Sequence, residues 1–219
     1  MTTNLAIFDL DNTLIAGDSD HAWGNFLVSK GVVDKHLYAE QNQRFYEDYK
    51  RGDLDINAFL AFTLLPLKNN SLTNLYAWRD EFMQTVVEPM ILPKAIDLIT
   101  HHRQQAHMLL IITATNTFIT SPIAKRLDIE NLIGTEPEFI DKCYTGNVHG
   151  IPSFQSGKIT RLDNWLKEKK LTIKHSWFYS DSLNDLPLLK KVDTPVAVDP
   201  DETLAKYAEK NSWDIMSLR

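Results

Sequence analysis

The 219-residue chain has one cysteine, Cys143. A single thiol cannot close an internal disulfide, and this usage fits a reducing compartment. No apolar run approaches the ~20 residues that span a bilayer. The first residues lack the basic segment and long apolar core of a secretory signal. Positive charge is in deficit: 29 acidic against 23 basic residues leave a net charge of −6. Bulk electrostatics therefore argues against nucleic acid or an anionic membrane as partner. An anionic substrate would need a local cation. Internal repeats, low-complexity segments and disordered linkers are also missing. What remains is ordinary globular usage, 43% hydrophobic and 24% charged, long enough for one or two domains. These readings describe a soluble, cytoplasmic protein.

The stretch around which the chain is organised is Asn4-Leu5-Ala6-Ile7-Phe8-Asp9-Leu10-Asp11-Asn12-Thr13. Its apolar part does not alternate, so it reads as a strand buried on both faces. Two carboxylates follow at its exit. A buried carboxylate is costly unless a cation or hydrogen-bond donors meet it. The pair therefore asks for a metal or a chemical task. The bland alternative is a strand end with an Asx-type turn at Asp11-Asn12.

A helical pattern begins at His21, with Trp23, Phe26, Leu27 and Val28 on one face and Gly31 as stop signal. Asp34, Asp55 and Ser71 each open a further helix. Gly52 and Pro66 are read as ends. The stretch from Asp20 to Glu88 is thus an all-helical insert. Beyond Pro89 the period changes. Pro93 starts a helix, and His107 to Ile112 is a second buried strand ending in Thr113. Thr117 to Leu127 is a helix interrupted or started late by Pro122. Two short strands around a turn at Asp141-Lys142 are expected next, then a helix from Gly157 to Lys169. Ser176 to Ser180 is a strand ending in Asp181, and Ser182 to Asp185 leads into a short helix. Pro195 to Val198, Asp201 to Lys210 and Trp213 to Met216 read as strand, helix and strand.

Strand–helix alternation predicts an α/β fold, a Rossmann-like parallel sheet with helices on both faces. Residues 1–16 and 89–219 would form this core, and 17–88 an inserted all-helical cap. In such a sheet the carboxyl ends of the strands share one edge, where ligands bind. Neighbouring exits are about 5 Å apart. That would gather Asp9, Asp11, Thr113 and Asp181. Crowded carboxylates repel, and Mg²⁺ relieves them while retaining waters and pairing with a substrate phosphate. Thr113 is read as a hydroxyl at a helix start, where free N–H groups suit an anion. Lys158 supplies local positive charge.

These motifs together resemble the haloacid dehalogenase superfamily, specifically its phosphoserine-phosphatase-like branch. The carriers are Asp9-Leu10-Asp11-Asn12-Thr13, Thr113 after its strand, Lys158, and Asp181-Ser182-Leu183-Asn184-Asp185, in the family's order and over nearly the whole chain. The second motif reads Thr113-Ala114-Thr115-Asn116 instead of the Ser-Gly-Gly of typical phosphoserine phosphatases. That departure bears on substrate, not on chemistry. The resemblance implies Mg²⁺-dependent hydrolysis of a small phosphomonoester. Asp9 would be the nucleophile, forming an aspartyl-phosphate, and Asp11 the general acid and base. Asp9, the Asp11 carbonyl and Asp181 would hold Mg²⁺. Thr113, Lys158 and Asn184 would bind the phosphate.

Each residue also has a structural reading. Thr113 suits a helix cap and Lys158 a solvated helix surface. Ser182-x-x-Asp185 resembles a capping box, beside a role for Asp185 behind the metal. Ser156-Gly157-Lys158 mimics a P-loop, but Pro152 and Ile159 stand where that motif needs glycine and a hydroxyl. By its distance from Asp9, Asp18 falls where relatives carry an acid that contacts a substrate amino group, and Asp20 lies close by. The substrate would then be aminated, phosphoserine- or histidinol-phosphate-like. Alternatively, the two acids cap the helix at His21. Arg44, Arg51 and Trp23 are candidate cap contacts, and the histidines carry no ligand spacing. Two other functions share the scaffold: a phosphotransferase or mutase, and a non-enzymatic phospho-receiver, which needs no inserted lid.

Overall fold

The computed structural model describes residues 2–219. Among these, seven strands form one sheet in the order β4-β3-β2-β1-β5-β6-β7. The strands are β1 (Thr2–Phe8), β2 (Met108–Asn116), β3 (Asn131–Ile140), β4 (Cys143–His149), β5 (Thr172–Ser180), β6 (Thr194–Val198) and β7 (Asp214–Met216). All pairings are parallel except β3 with β4, a hairpin turning at Asp141 and Lys142, both in the left-handed region. β1 is central. Leu5 and Ile7 face one apolar core, Ala6 and Phe8 the other, so both faces of the strand are buried. This is why its sequence does not alternate. Phe8 lies in register with Ile111 of β2 and Tyr179 of β5, which brings the three strand ends together. The chain order reverses direction at β1, so the crevice for a ligand opens there.

Between β1 and β2 run α1 (Ser19–Ser29), α2 (Lys35–Arg51), α3 (Ile56–Thr63), α4 (Leu65–Asn69) and α5 (Leu72–Phe82), then α6 (Pro93–Gln104). Asp34, Asp55 and Ser71 cap their helices through side-chain acceptors, and Gly52 closes α2 at φ 79°. Pro66 does not end α3 as expected. It lies in the first turn of α4, where its missing N–H costs nothing. α1 starts two residues before His21, because Asp18 accepts from the His21 N–H at 2.8 Å. Trp23 is buried against Phe26, Phe82 and Phe118, so it joins the insertion to the helix that follows β2 and does not line a cleft. Arg44 and Arg51 are exposed and pair with Asp48.

The remaining helices are α7 (Thr117–Arg126), α8 (Ser156–Glu168), α9 (Leu186–Leu189) and α10 (Glu202–Lys210). Pro122 lies inside α7. No helix among the described residues is long and apolar enough to cross a membrane.

His102 of α6 is buried under β1 and β5. Its Nε2 meets the Tyr179 hydroxyl at 2.8 Å and its Nδ1 meets His107 Nδ1 at 2.8 Å. Burial, then the nearby His107 and His101, lower its pKa to about 4. Between pH 6.5 and about 4 the unfolded chain therefore binds a proton that the folded chain refuses. Its contribution to stability is present above pH 6.5 and is lost as pH falls through that window. His102→Gln is expected to flatten the pH dependence of the unfolding free energy there by up to about one proton. Urea titrations at several pH values on both proteins measure this.

Candidate active site

β1 delivers Asp9 to the sheet edge, where its N–H donates to the Tyr179 carbonyl at 2.9 Å. The partner of its side chain comes from α8. Lys158 Nζ donates to Asp9 Oδ1 at 2.7 Å and to Asp185 Oδ2 at 2.8 Å. Asp185 is fixed in turn by the Ser180 hydroxyl at 2.8 Å. Lys158 is only 1% exposed, so the surface reading of this residue is wrong. Burial disfavours its charge, but Asp185 and then Asp9 outweigh that and raise its pKa. The preceding Gly157 has a steric reason. A Cβ there would collide with the Pro152 carbonyl oxygen, and the tight turn aims α8 at the sheet edge. Asp185 does not complete a capping box, since its carboxylate goes to Lys158 and Ser180 while the Ser182 N–H donates to Ser180 Oγ.

Asp11 is held from two sides. Its Oδ1 accepts from the Ser19 N–H at 2.6 Å, at the start of α1. Its Oδ2 accepts from the hydroxyls of Thr113 at 3.2 Å and Thr115 at 2.9 Å. Thr113 does not sit at a helix start. β2 stays extended through Asn116 and α7 begins at Thr117. The free N–H groups of that helix therefore do not lie at Thr113. What Thr113 offers the site is its hydroxyl, itself steadied by the Thr115 N–H at 3.2 Å.

Asp181, at the exit of β5, accepts from the Thr13 hydroxyl at 3.2 Å and returns its own N–H to Thr13 Oγ1 at 3.1 Å. Burial, then the Asp185 charge, push its carboxyl up to about 7. Asp9 is also raised, by burial foremost. Lys158 opposes this, and Asp185, Asp181 and Asp11 add to it. One ammonium thus faces four carboxylates, and the surplus of negative charge suits a hard divalent cation. Among the described residues no three acidic, histidine or cysteine side chains form a metal cage. The expected set does not require one. The carboxylates of Asp9 and Asp181 and the Asp11 carbonyl are hard oxygen donors of the kind that an open Mg²⁺ site, completed by water and phosphate, would use.

Helices of the insertion roof this edge. Asp9, Asp11, Thr113 and Thr115 share a cleft with Asp18, the cap of α1, with Asp20 and His21 of α1, Tyr46 and Tyr49 of α2, and Phe59 of α3. The cleft is narrow and partly open to solvent. Asn184 is engaged elsewhere. Its Nδ2 donates to the Tyr49 carbonyl at 3.0 Å and its Oδ1 accepts from Gln155 at 3.2 Å, so it ties α2 to the core. Asp18 commits one oxygen to capping α1, and burial with the Asp11 charge pushes it up to about 7. Sequence reasoning missed Thr115, Thr13 and Tyr49. The Tyr49 hydroxyl is driven well above its usual range by burial, then by Asp9, Asp185 and Asp181.

The family model for haloacid dehalogenase-like hydrolases matches residues 6–190. The chain is 47% identical over 220 residues to a histidinol-phosphatase of Neisseria meningitidis serogroup C (strain 8013), covering 99% of both. It is 30% identical to a phosphoserine phosphatase of Mycobacterium tuberculosis, covering 99% of this chain and 71% of that one. A Bordetella pertussis Tohama I protein of unknown function superposes with TM-score 0.94 at 38% identity over both whole chains. A phosphoserine phosphatase with a phospho-aspartyl intermediate analogue has TM-score 0.72 at 16% identity, over 100% of this chain and 95% of that one, a likeness of fold. The chain belongs to the haloacid dehalogenase-like hydrolase family, on its phosphoserine-phosphatase-like branch.

Proposed function

We propose that this hydrolase is a Mg²⁺-dependent phosphomonoesterase that works through an aspartyl-phosphate on Asp9. Its substrate is a small aminated phosphomonoester of the histidinol-phosphate or phosphoserine kind. The observation that carries the reading is the junction of Asp9, Lys158 and Asp11 at one strand exit beneath a helical roof. The 47% identity to a histidinol-phosphatase supports the aminated substrate.

In this reading Lys158 holds Oδ1 of Asp9, leaving the other oxygen to attack phosphorus. The P–O ester bond breaks, and the leaving alkoxide takes a proton from Asp11. Water then attacks the aspartyl-phosphate and gives its proton to Asp11, releasing inorganic phosphate and restoring Asp9. Ser19 and Thr115 orient Asp11 throughout, while Thr113 turns its single hydroxyl proton from Asp11 to the phosphate when substrate binds. Lys158 and the Thr113 hydroxyl also meet the phosphoryl oxygens, where charge spreads in the transition state. Mg²⁺ held by Asp9, the Asp11 carbonyl and Asp181 would neutralise phosphoryl charge. Asp185 keeps Lys158 in place, and Asn184 acts by seating α2 more than by touching phosphate. Residues 17–88 serve as the cap, which must lift to admit substrate and close to exclude water.

Three outcomes are expected. Asp9→Asn abolishes phosphate release from p-nitrophenyl phosphate and from aminated esters, with an unchanged circular dichroism spectrum; turnover near wild type removes Asp9 as nucleophile. Chelation with EDTA stops turnover and Mg²⁺ restores it, so full activity in chelator contradicts the metal. Lys158→Met leaves two buried carboxylates without their cation. It should cost about 3–5 kcal/mol in urea unfolding of the metal-free protein, and at least about 100-fold in kcat.

A further inference from the structure

The cleft contains an acid that the reaction above does not use. Asp20, on the first turn of α1, is 5% exposed and lines the same space as Asp9, Asp11 and Thr113. Neither of its carboxylate oxygens has a hydrogen-bond partner among the described residues. Native proteins leave few buried polar atoms unpaired, and an unpaired carboxylate is the most expensive kind. Asp18, two residues earlier, differs in this respect, since it is spent on the helix cap. The ring nitrogen His21 Nδ1 is a second buried atom in the cleft without a partner. Among the described residues no cation pairs with Asp20. Burial, then the charges of Asp18 and Asp11, push its carboxyl well above the usual range. The walls nearby are flat and apolar, with Phe45, Tyr46 and Phe59 lining the cleft and the Tyr46 ring 4.6 Å from that of His21.

We propose that Asp20 is the counter-ion for the cationic group of the substrate, an ammonium or protonated ring nitrogen carried on the alcohol side of the phosphomonoester. This rests on the phosphatase reading and refines it. The phosphate sits by Asp9 and Lys158, and the cation sits at the far end of the same cleft, against Asp20 and between aromatic walls. Such walls accept a flat or alkyl cation through ring-face attraction. A cation delivered by the substrate satisfies the orphaned oxygens only in the complex. Asp20 therefore selects for charge at the expense of the ligand-free fold, whereas Asp18 serves the helix in both states.

The test compares wild type, Asp20→Asn and Asp18→Asn. Hydrolysis of histidinol phosphate is measured against p-nitrophenyl phosphate, and calorimetry follows binding of L-histidinol, which needs no turnover. A charged hydrogen bond contributes about 1.5–3 kcal/mol, so Asp20→Asn should lower the efficiency ratio of cationic to neutral ester by about 10- to 100-fold, chiefly through KM. It should weaken L-histidinol by a similar factor and leave the ligand-free melting temperature unchanged or higher. Asp18→Asn keeps a cap acceptor, so it should leave the melting temperature about unchanged and move the ratio less. An unchanged ratio together with unchanged L-histidinol binding in Asp20→Asn overturns the assignment, as does a loss of selectivity confined to Asp18→Asn. If wild type hydrolyses neither ester but binds L-histidinol through Asp20, the phosphatase reading fails and this assignment stands. Failure of wild type to bind L-histidinol or to prefer the cationic ester overturns the assignment, even with hydrolysis of the neutral ester intact.

Discussion

A single buried ammonium holds the active edge together. Lys158 bonds Asp9 and Asp185, residues that lie 149 and 27 positions away in sequence. Taking three ionised groups out of water is costly, and their attraction repays this only when geometry is good and the remaining lone pairs are met. Here the bonds are short, and Ser180 supplies a further donor to Asp185. The arrangement demands that α8 begin at one spot, which the close passage of Gly157 over the Pro152 carbonyl enforces. β1 and β5 must also end level, which their register ensures. The fold around the site can thus be understood as the means of keeping one lysine between two acids.

Asp11 couples this rigid edge to the helical insertion. One of its oxygens belongs to the core through Thr113 and Thr115, the other to α1 through the Ser19 N–H. In the proposed reaction α1 to α3, which roof the cleft, shift to admit substrate. In the proposed reaction the Ser19 bond re-forms as the roof closes. The acid that protonates the leaving group is then held in place by the same closure that excludes water, a coupling of gating to chemistry.

Much of this was legible before the structure. The central strand announced itself through four apolar residues without alternation, and the polar exits at Asp9, Thr113 and Asp181 meet because parallel strands share an edge. Asp34, Asp55 and Ser71 were readable as caps because their role is local. What escaped reading depended on three-dimensional neighbours. Thr115 lay beyond the expected end of β2, and only the extended run to Asn116 brings its hydroxyl to Asp11. Tyr49 looked like one more apolar residue on an amphipathic helix. Pro66 gave a stop signal whose meaning depends on whether another helix starts there. Spacing from Asp9 drew attention to Asp18, yet spacing cannot tell an acid spent on a cap from one left without partners two residues later.

That last distinction explains why the site tolerates so much unrelieved charge. Asp9, Asp18, Asp20 and Asp181 all have carboxyls raised by burial, and Lys158 relieves only the region near Asp9. Packing alone would have replaced such groups with apolar ones, since an uncompensated buried charge destabilises the fold. Their presence is intelligible when the missing positive charge arrives with ligands. In the proposed reaction a divalent cation would answer the cluster at the strand ends, and a cationic substrate would answer Asp20. The protein is then least stable when empty, and binding recovers free energy that folding alone left unrealised. In that reading selectivity and affinity would arise from the same electrostatic deficit, located at two ends of one cleft.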